Sequence, residues 1–250
     1  MVEDAGGVGM NNFVEAFKFI FRNGQIPGEP HFTTLTYYAL GTLKVTAIAM
    51  AISLAIALPV GIGLGHRHRG SFIAINLGNV GRALPSLVVL AVASAFLGIG
   101  LKEVLVALVV LAVPPIITNA YVGIDEVDRD LVDAARGMGM TGWQVLTQVE
   151  LPLAIPLVMA GVRTATLFVI STTTIAAFAG YGDSLGEVVN NEASYHLYGL
   201  LGAAICIAAL AMAIELALAL VQRALTPPPL RSVEALALPD ELLVPVLEGV

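Results

Sequence analysis

The sequence predicts an all-α, polytopic membrane protein, and three observations carry that prediction. Of 250 residues, 57% are hydrophobic and only 12% charged, with a mean hydropathy of +0.86. Several windows exceed the roughly 20 apolar residues that cross a hydrocarbon core of about 30 Å. The apolar runs are broken by one conspicuous polar, glycine-punctuated island, Asp133 to Pro152, which reads DAARGMGMTGWQVLTQVELP.

The elements follow in chain order. Met1 to Asn12 is acidic and glycine-rich instead of basic then apolar, so no cleavable signal sequence is expected. Phe13, Phe17, Ile20 and Phe21 recur at helical spacing, which predicts a short amphipathic helix. It either lies on the outer membrane surface or packs on the bundle, and residues 1–34 read as an extracytoplasmic segment. About five spans then fill residues 35–225. The first runs from Leu40 to Leu64 and ends in His66-Arg67-His68-Arg69. The second covers Phe72 to Leu97, interrupted by Arg82 and Pro85, and the third covers Val104 to Val122. After the island come Leu153 to Phe178 and then Leu200 to Val221. The last span is closed by Gln222-Arg223 and followed by a Pro-rich tail over 226–250.

Lys and Arg beside the spans set the orientation, because cytoplasmic loops keep an excess of them. Arg67 and Arg69, Arg129 and Arg136, and Arg223 and Arg231 all fall on one side. Opposite them are Lys102 alone in the 98–103 turn, a 179–197 loop with neither residue type, and the N-terminal Lys18 and Arg22. The N-terminus is therefore expected outside and the C-terminus and tail inside. The net charge of −7 comes mostly from acids in the termini and the 125–133 segment, and it argues against nucleic acid as a partner.

Within 125–152, Leu131 to Met138 reads as a short helix with Ala134 and Ala135 on a face open to close approach. Gly137, Gly139 and Gly142 permit a change of direction. From Trp143, the pattern Val145, Leu146, Val149 and Leu151 begins a second amphipathic helix, with Pro152 placed to start the fourth span.

Asp133-Ala134-Ala135, three residues, Gly139, nine residues, then Val149-Glu150-Leu151-Pro152 resembles the EAA signature of the membrane subunits of ABC importers. Asp stands for the first Glu and Val for the Ile of that signature. The runs Arg82-Ala83-Leu84-Pro85-Ser86, Pro114 through Ile124, Gly137 through Trp143 and Leu151 through Thr164 resemble permeases for glycine betaine, carnitine and choline, over roughly residues 35 to 225. The chain departs from those relatives at Tyr181-Gly182-Asp183-Ser184-Leu185-Gly186, where they carry a glycine-rich run ending in Leu-Gly.

The resemblance implies a type I ABC importer permease fold with a coupling loop built on Asp133, Ala134, Ala135, Arg136, Gly137, Met138, Gly139, Met140, Thr141 and Gly142. It also implies cytoplasmic ABC ATPase subunits, a second permease copy or paralogue, and a separate extracytoplasmic substrate-binding protein as partners. No cofactor is expected on this chain. It has no phosphate loop, since none of Lys18, Lys44 and Lys102 follows a glycine, so ATP and Mg are expected on the ATPase.

Polar residues inside spans are the path candidates, because an unsatisfied polar group in hydrocarbon is costly. Asn76, Asn79 and Arg82 form one helical face, with Pro85 allowing a kink beyond it. Thr164, Ser171 and Thr174 line part of the fourth span, where Gly161 and Ala165 allow close packing. The first set reads either as a pore-facing stripe or as an Arg and amides satisfied between helices, and the second either as path-lining or as hydroxyls bonded to their own helix backbone. Arg163 is expected near the cytoplasm, with Glu215 as a candidate partner. The six tyrosines, Tyr37, Tyr38, Tyr121, Tyr181, Tyr195 and Tyr198, form no evident cage in sequence and read mostly as interfacial anchors. No catalytic or metal site is expected: His31, His66, His68 and His196 are dispersed, His66 and His68 read as a basic anchor, and Cys206 stands alone in an apolar run.

Overall fold

Where the polar island ends up depends on the direction in which each apolar helix runs. The computed structural model describes residues 5–24, 34–68 and 70–227, and among these it is helical, with no strand. His31, Arg69, Arg231, the Arg82 side chain and the expected tail beyond Pro227 lie outside the described residues.

Helix α1 (Ala5–Phe21) packs on the start of the last helix rather than standing alone. Ala16 is fully buried there, and Phe19 sets its ring edge-on to Tyr195 and Tyr198 at 6.2 and 6.0 Å. Of the two readings of the N-terminal amphipathic stretch, the packed one is observed. Phe13, Phe17 and Phe21 remain on its exposed side.

Helix α2 (Leu35–His66) begins at Thr34, whose hydroxyl accepts from the Tyr37 amide and so satisfies one orphan donor of the first turn. Its 32 residues rise about 48 Å, more than the hydrocarbon thickness. Helices α3 (Ser71–Ala83) and α4 (Ser86–Leu97) meet at a bend of 92°. Pro85 causes the break: it has no amide hydrogen to continue α3, and it pushes Leu84 to an extended conformation with ψ 118°. Helix α5 (Leu101–Asp125) then runs through the centre of the bundle, with Val104, Leu108, Ala112, Ile116 and Ala120 wholly buried.

The ends of α2 and α5 fix the topology. At one end His68 pairs with Asp125 at 2.7 Å, and at the other Leu40 and Val45 share a cavity wall with Leu101. The two helices are therefore parallel, and α3 with α4 must carry the chain back between them. The bent pair is one broken span and not a re-entrant loop. Together with the four described helices long and apolar enough to cross, it makes the expected five.

After α6 (Arg129–Gly137) and α7 (Gly142–Val145), a π-turn (Leu146–Glu150) leads into α8 (Leu151–Ile175) and a closing 3-10 turn (Ala176–Ala179). Helix α8 runs antiparallel to α5, with Ala154 and Leu157 against Gly123, and Gly161 against Pro115 and Asn119. Pro152 sits in the first turn of α8, which continues from α7 through the π-turn as one helical rod from Gly142 to Ala179. The wider turn, in which the Leu151 amide donates to the Leu146 carbonyl, gives the proline ring room that a regular turn would deny it. Helix α9 (Leu185–Asn190) and helix α10 (Glu192–Leu225), kinked at His196 (φ 55°, ψ 172°), complete the bundle.

Candidate functional site

The island folds as a compact knuckle whose every turn has a local cause. Asp128 caps α6 by accepting from the Asp130 amide at 2.9 Å. The helix ends in a Schellman motif: the Gly139 amide donates to the Arg136 carbonyl and the Met140 amide to the Ala135 carbonyl. That geometry needs a left-handed residue, and Gly139 supplies it at φ +87°. Of the three glycines expected to turn the chain, only Gly139 has a positive φ. Thr141 then opens α7 with a capping box, its hydroxyl accepting from the Gln144 amide while the Gln144 side chain accepts from the Thr141 amide. Met140 is the apolar pin for both ends. It packs with Ala135 behind it and Val145 ahead of it, in a small core shared with Val127, Val132, Val149 and Leu153.

Ala134 and Ala135 do not share a face as expected. Ala135 is buried in that small core, whereas Ala134 points out with Asp133, Arg136, Gly137 and Met138. The outer face carries three large apolar side chains, Leu131 (49% exposed), Met138 (77%) and Trp143 (72%), among Arg129, Asp130, Asp133 and Arg136. Leu131 lies beside Leu153 and Leu157 in a groove against α5 and α8, whereas Met138 and Trp143 are the most exposed apolar side chains of the knuckle. Leu131 and Trp143 were not among the candidates from sequence. The lone tryptophan, set in a glycine-rich stretch, was the available signal.

Two further residues fasten the knuckle to the bundle. His66 Nδ1 lies 2.6 Å from Glu150 Oε2, with the carboxylate buried and its other oxygen without a hydrogen-bond partner. Glu150 belongs to the π-turn and His66 to the end of α2, so the contact ties the base of the knuckle to a second span. His68 and Asp125 make a parallel tie between α2 and α5. The histidines are therefore paired side chains and not only a basic anchor, which neighbouring sequence could not show, since their partners lie 84 and 57 positions away.

The polar residues inside spans divide into two uncovered faces. On α3, Ala74 and Gly78 face α5, where the Thr118 hydroxyl donates to the Ala74 carbonyl, and Asn76 and Asn79 stand exposed on the opposite side. The Asn76 amide satisfies itself on the Phe72 carbonyl. Pro85 is exposed at the bend. On α8, Thr164 and Ser171 are exposed and Thr174 is half-buried, its hydroxyl donating to the Ile170 carbonyl. Gly161 and Ala165 are buried, as close packing requires. No hydrogen bond joins the two sets among the described residues. Arg163 reaches across to α10, donating through Nε to Glu215 at 2.7 Å and through Nη1 to Gln222 at 3.0 Å. Among the described residues no group of three or more His, Cys, Asp or Glu is placed to hold a metal.

Long apolar helices, with a polar knuckle between the third and fourth candidate spans, have the build of a polytopic membrane component. The model of the family described as binding-protein-dependent transport system inner membrane component matches residues 50–228, and the chain belongs to that family. Among similar proteins, the glycine betaine/carnitine/choline transport system permease protein OpuCB of Bacillus subtilis (strain 168) is 39% identical over 160 residues, 64% of this chain and 73% of the relative. The carnitine transport permease protein OpuCB of Listeria monocytogenes is 38% identical over 158 residues, 63% and 72% of the two chains. The osmoprotectant import permease protein OsmY of Salmonella typhimurium is 44% identical over 111 residues, 44% and 47%. The fold matches a chain of the inward-facing MetNI methionine ABC transporter with a TM-score of 0.67 at 22% identity, covering 77% of this chain and 96% of that one. An amino acid ABC transporter crystallised with histidines matches with a TM-score of 0.59 at 20% identity, covering 84% and 95%. At those identities the likeness shows the fold, that of ABC importer membrane subunits.

Proposed function

We propose that this chain is the permease of an ATP-driven importer for quaternary-amine osmoprotectants, taking glycine betaine, choline or carnitine from a separate extracytoplasmic binding protein. The observation that carries the mechanical part is the knuckle, with Leu131, Met138 and Trp143 exposed on a surface continuous with α8. The substrate class rests on the relatives at 36–39% identity, whose names give these compounds.

The mechanism follows from the rod. From Trp143 to Thr174 the helix extends about 47 Å at 1.5 Å per residue, so a small displacement at the docking face reaches the uncovered polar face of α8. Cytoplasmic ATPase subunits that close on ATP and Mg push on the knuckle, the His66–Glu150 tie carries α2 along, and Thr164, Ser171 and Thr174 shift against a second permease copy or paralogue. The exposed faces of α3 and α8 are where such a partner would complete the path. The placement of the knuckle with Arg67, Arg129, Arg136 and Arg223 at one end of the bundle supports a cytoplasmic location for that end, with the N-terminus outside. The membrane is the inner membrane of a bacterium or archaeon.

Reconstitution with the ATPase and the binding protein tests the reading. ATP-dependent uptake of labelled glycine betaine or choline, competed by the unlabelled compounds, is expected. Uptake of an amino acid with no competition by quaternary amines would instead make the chain a permease for another small solute. ATP-independent flux would make it a channel.

A further inference from the structure

The Tyr181 to Gly186 stretch between α8 and α9 does not hang free. The Leu185 amide donates to the Thr42 hydroxyl at 3.0 Å, the Ser184 hydroxyl donates to the Thr173 carbonyl at 3.2 Å, and the Asp183 backbone rests on α2 at Gly41. The loop is thereby pinned to both α2 and α8. Between it, the first turns of α2 and the start of α5 lies a cavity of about 260 Å³, walled by Tyr37, Leu40, Lys44, Leu101, Tyr181 and Asp183. That volume falls just below the range typical of sites for drug-sized ligands and suits a smaller solute.

The walls are chemically polarised. Asp183 accepts a hydrogen bond from the Tyr37 hydroxyl at 3.1 Å and makes no ion pair among the described residues, and Tyr181 stands beside it with its ring largely buried. Tyr37 is held by the Tyr38 ring packed edge-on at 5.6 Å. A carboxylate beside two fixed phenol rings favours a cation, and the rings favour one that cannot donate hydrogen bonds. Across the same cavity, Lys44 sits in a membrane span with no carboxylate in ion-pair range among the described residues. Lys44 is exposed in the third turn of α2, so its ammonium is open to an anionic group entering the same space. Lys44 and Asp183 line one small space and do not meet each other. A molecule carrying both charges a few bonds apart would satisfy both.

We propose that this cavity is a binding site for a compact zwitterion, with its alkylated ammonium against Tyr37, Tyr181 and Asp183 and its anionic group on Lys44. The ligand chemistry is shared by a free betaine arriving at the outer mouth and by the headgroup of a zwitterionic phospholipid whose chains follow the exposed Leu40 and Leu101. The choice of probe rests on the osmoprotectant reading above, whereas the site itself rests on its own geometry.

The test is calorimetric titration of glycine betaine and choline into the full chain, in nanodiscs of anionic lipid alone and of zwitterionic lipid. Saturable glycine betaine binding is expected in the anionic discs. Asp183→Asn and Lys44→Met should each weaken it about tenfold, and Tyr37→Phe, which keeps the ring, should weaken it less than Tyr37→Leu. Choline, which has the cation without the carboxylate, should be insensitive to Lys44→Met. If the headgroup is the occupant, binding disappears in the zwitterionic discs, and native mass spectrometry finds a retained zwitterionic lipid that Lys44→Met releases. The site is overturned if neither glycine betaine nor such a lipid binds, or if binding ignores both charge substitutions in variants that keep wild-type helicity. ATP-driven uptake with partners, measured in parallel, separates the two readings. Normal glycine betaine uptake without this binding removes the site and keeps the function, and binding without uptake does the reverse.

Discussion

At the scale of single residues, the knuckle depends on side chains that do unlike work within a few positions of each other. Gly139 holds φ +87°, where an L side chain costs about 1–2 kcal/mol. Gly139→Ala is accordingly expected to leave insertion intact and to loosen the turn, with slower ATP-driven uptake in vesicles and little change in expression. Trp143 is exposed and caps nothing, so Trp143→Ala should cost the fold almost nothing. It should weaken ATPase co-purification by about tenfold or more, as loss of an aromatic anchor does. Unchanged co-purification would remove Trp143 from the docking face. Glu150 is different again: with its carboxyl group buried against His66, His66→Ala removes its hydrogen-bond partner and is expected to cost about 1–3 kcal/mol, read as a lowered thermal unfolding temperature in detergent. The sequence displayed the turn at Gly139, because that effect is local. It hid the His66–Glu150 pair, because nothing in either neighbourhood announces a partner 84 positions away.

At the scale of elements, the helices were legible where hydrophobic length alone decides them, and less so where two elements share one axis. Span limits from Leu40–Leu64 and Val104–Val122 fall inside α2 and α5, since long apolar runs leave little choice. The joining of α7 to α8 was not legible, because a proline ordinarily reads as a boundary and the π-turn that accommodates it leaves no sequence mark. The contact between α8 and α10 was half legible. Arg163 and Glu215 stood out as charges in apolar runs, and the fold brings them together with Gln222. A pair of this kind is costly to break and cheap to replace. Arg163→Leu alone should destabilise by about 3–5 kcal/mol through the stranded Glu215, and the double variant Arg163→Leu with Glu215→Leu should recover most of it. Equal loss in the single and double variants, measured by thermal unfolding, would show that the guanidinium acts elsewhere.

At the scale of the whole molecule, transport depends on which faces are left uncovered and which side each end meets. Beyond its first turn helix α5 exposes only apolar side chains, Val106 and Val110, whereas α3 and α8 each keep a polar stripe outward, Asn76 with Asn79 and Thr164 with Ser171. A single apolar bundle has no reason to turn hydroxyls toward lipid, since an unsatisfied polar group there is unfavourable. A stripe that faces a second subunit across a wet path removes the difficulty. Thr164→Leu combined with Ser171→Leu should therefore insert and bind the ATPase normally while uptake falls severalfold, because neither residue contributes to the buried core. If uptake is unchanged, the hydroxyls only decorate the helix and the path lies elsewhere. The same experiment needs the sidedness to be fixed, and the fold supplies the reporters. In a Cys206→Ala background, Met138→Cys at the knuckle is expected to react with an impermeant thiol reagent only from the cytoplasmic side. Gly182→Cys in the opposite loop should react only from outside, since both positions are exposed and lie at opposite ends of the bundle. Labelling of Met138→Cys from outside would invert the molecule and place the docking surface beyond the reach of any ATP-hydrolysing partner, a result that no adjustment of the path residues could rescue.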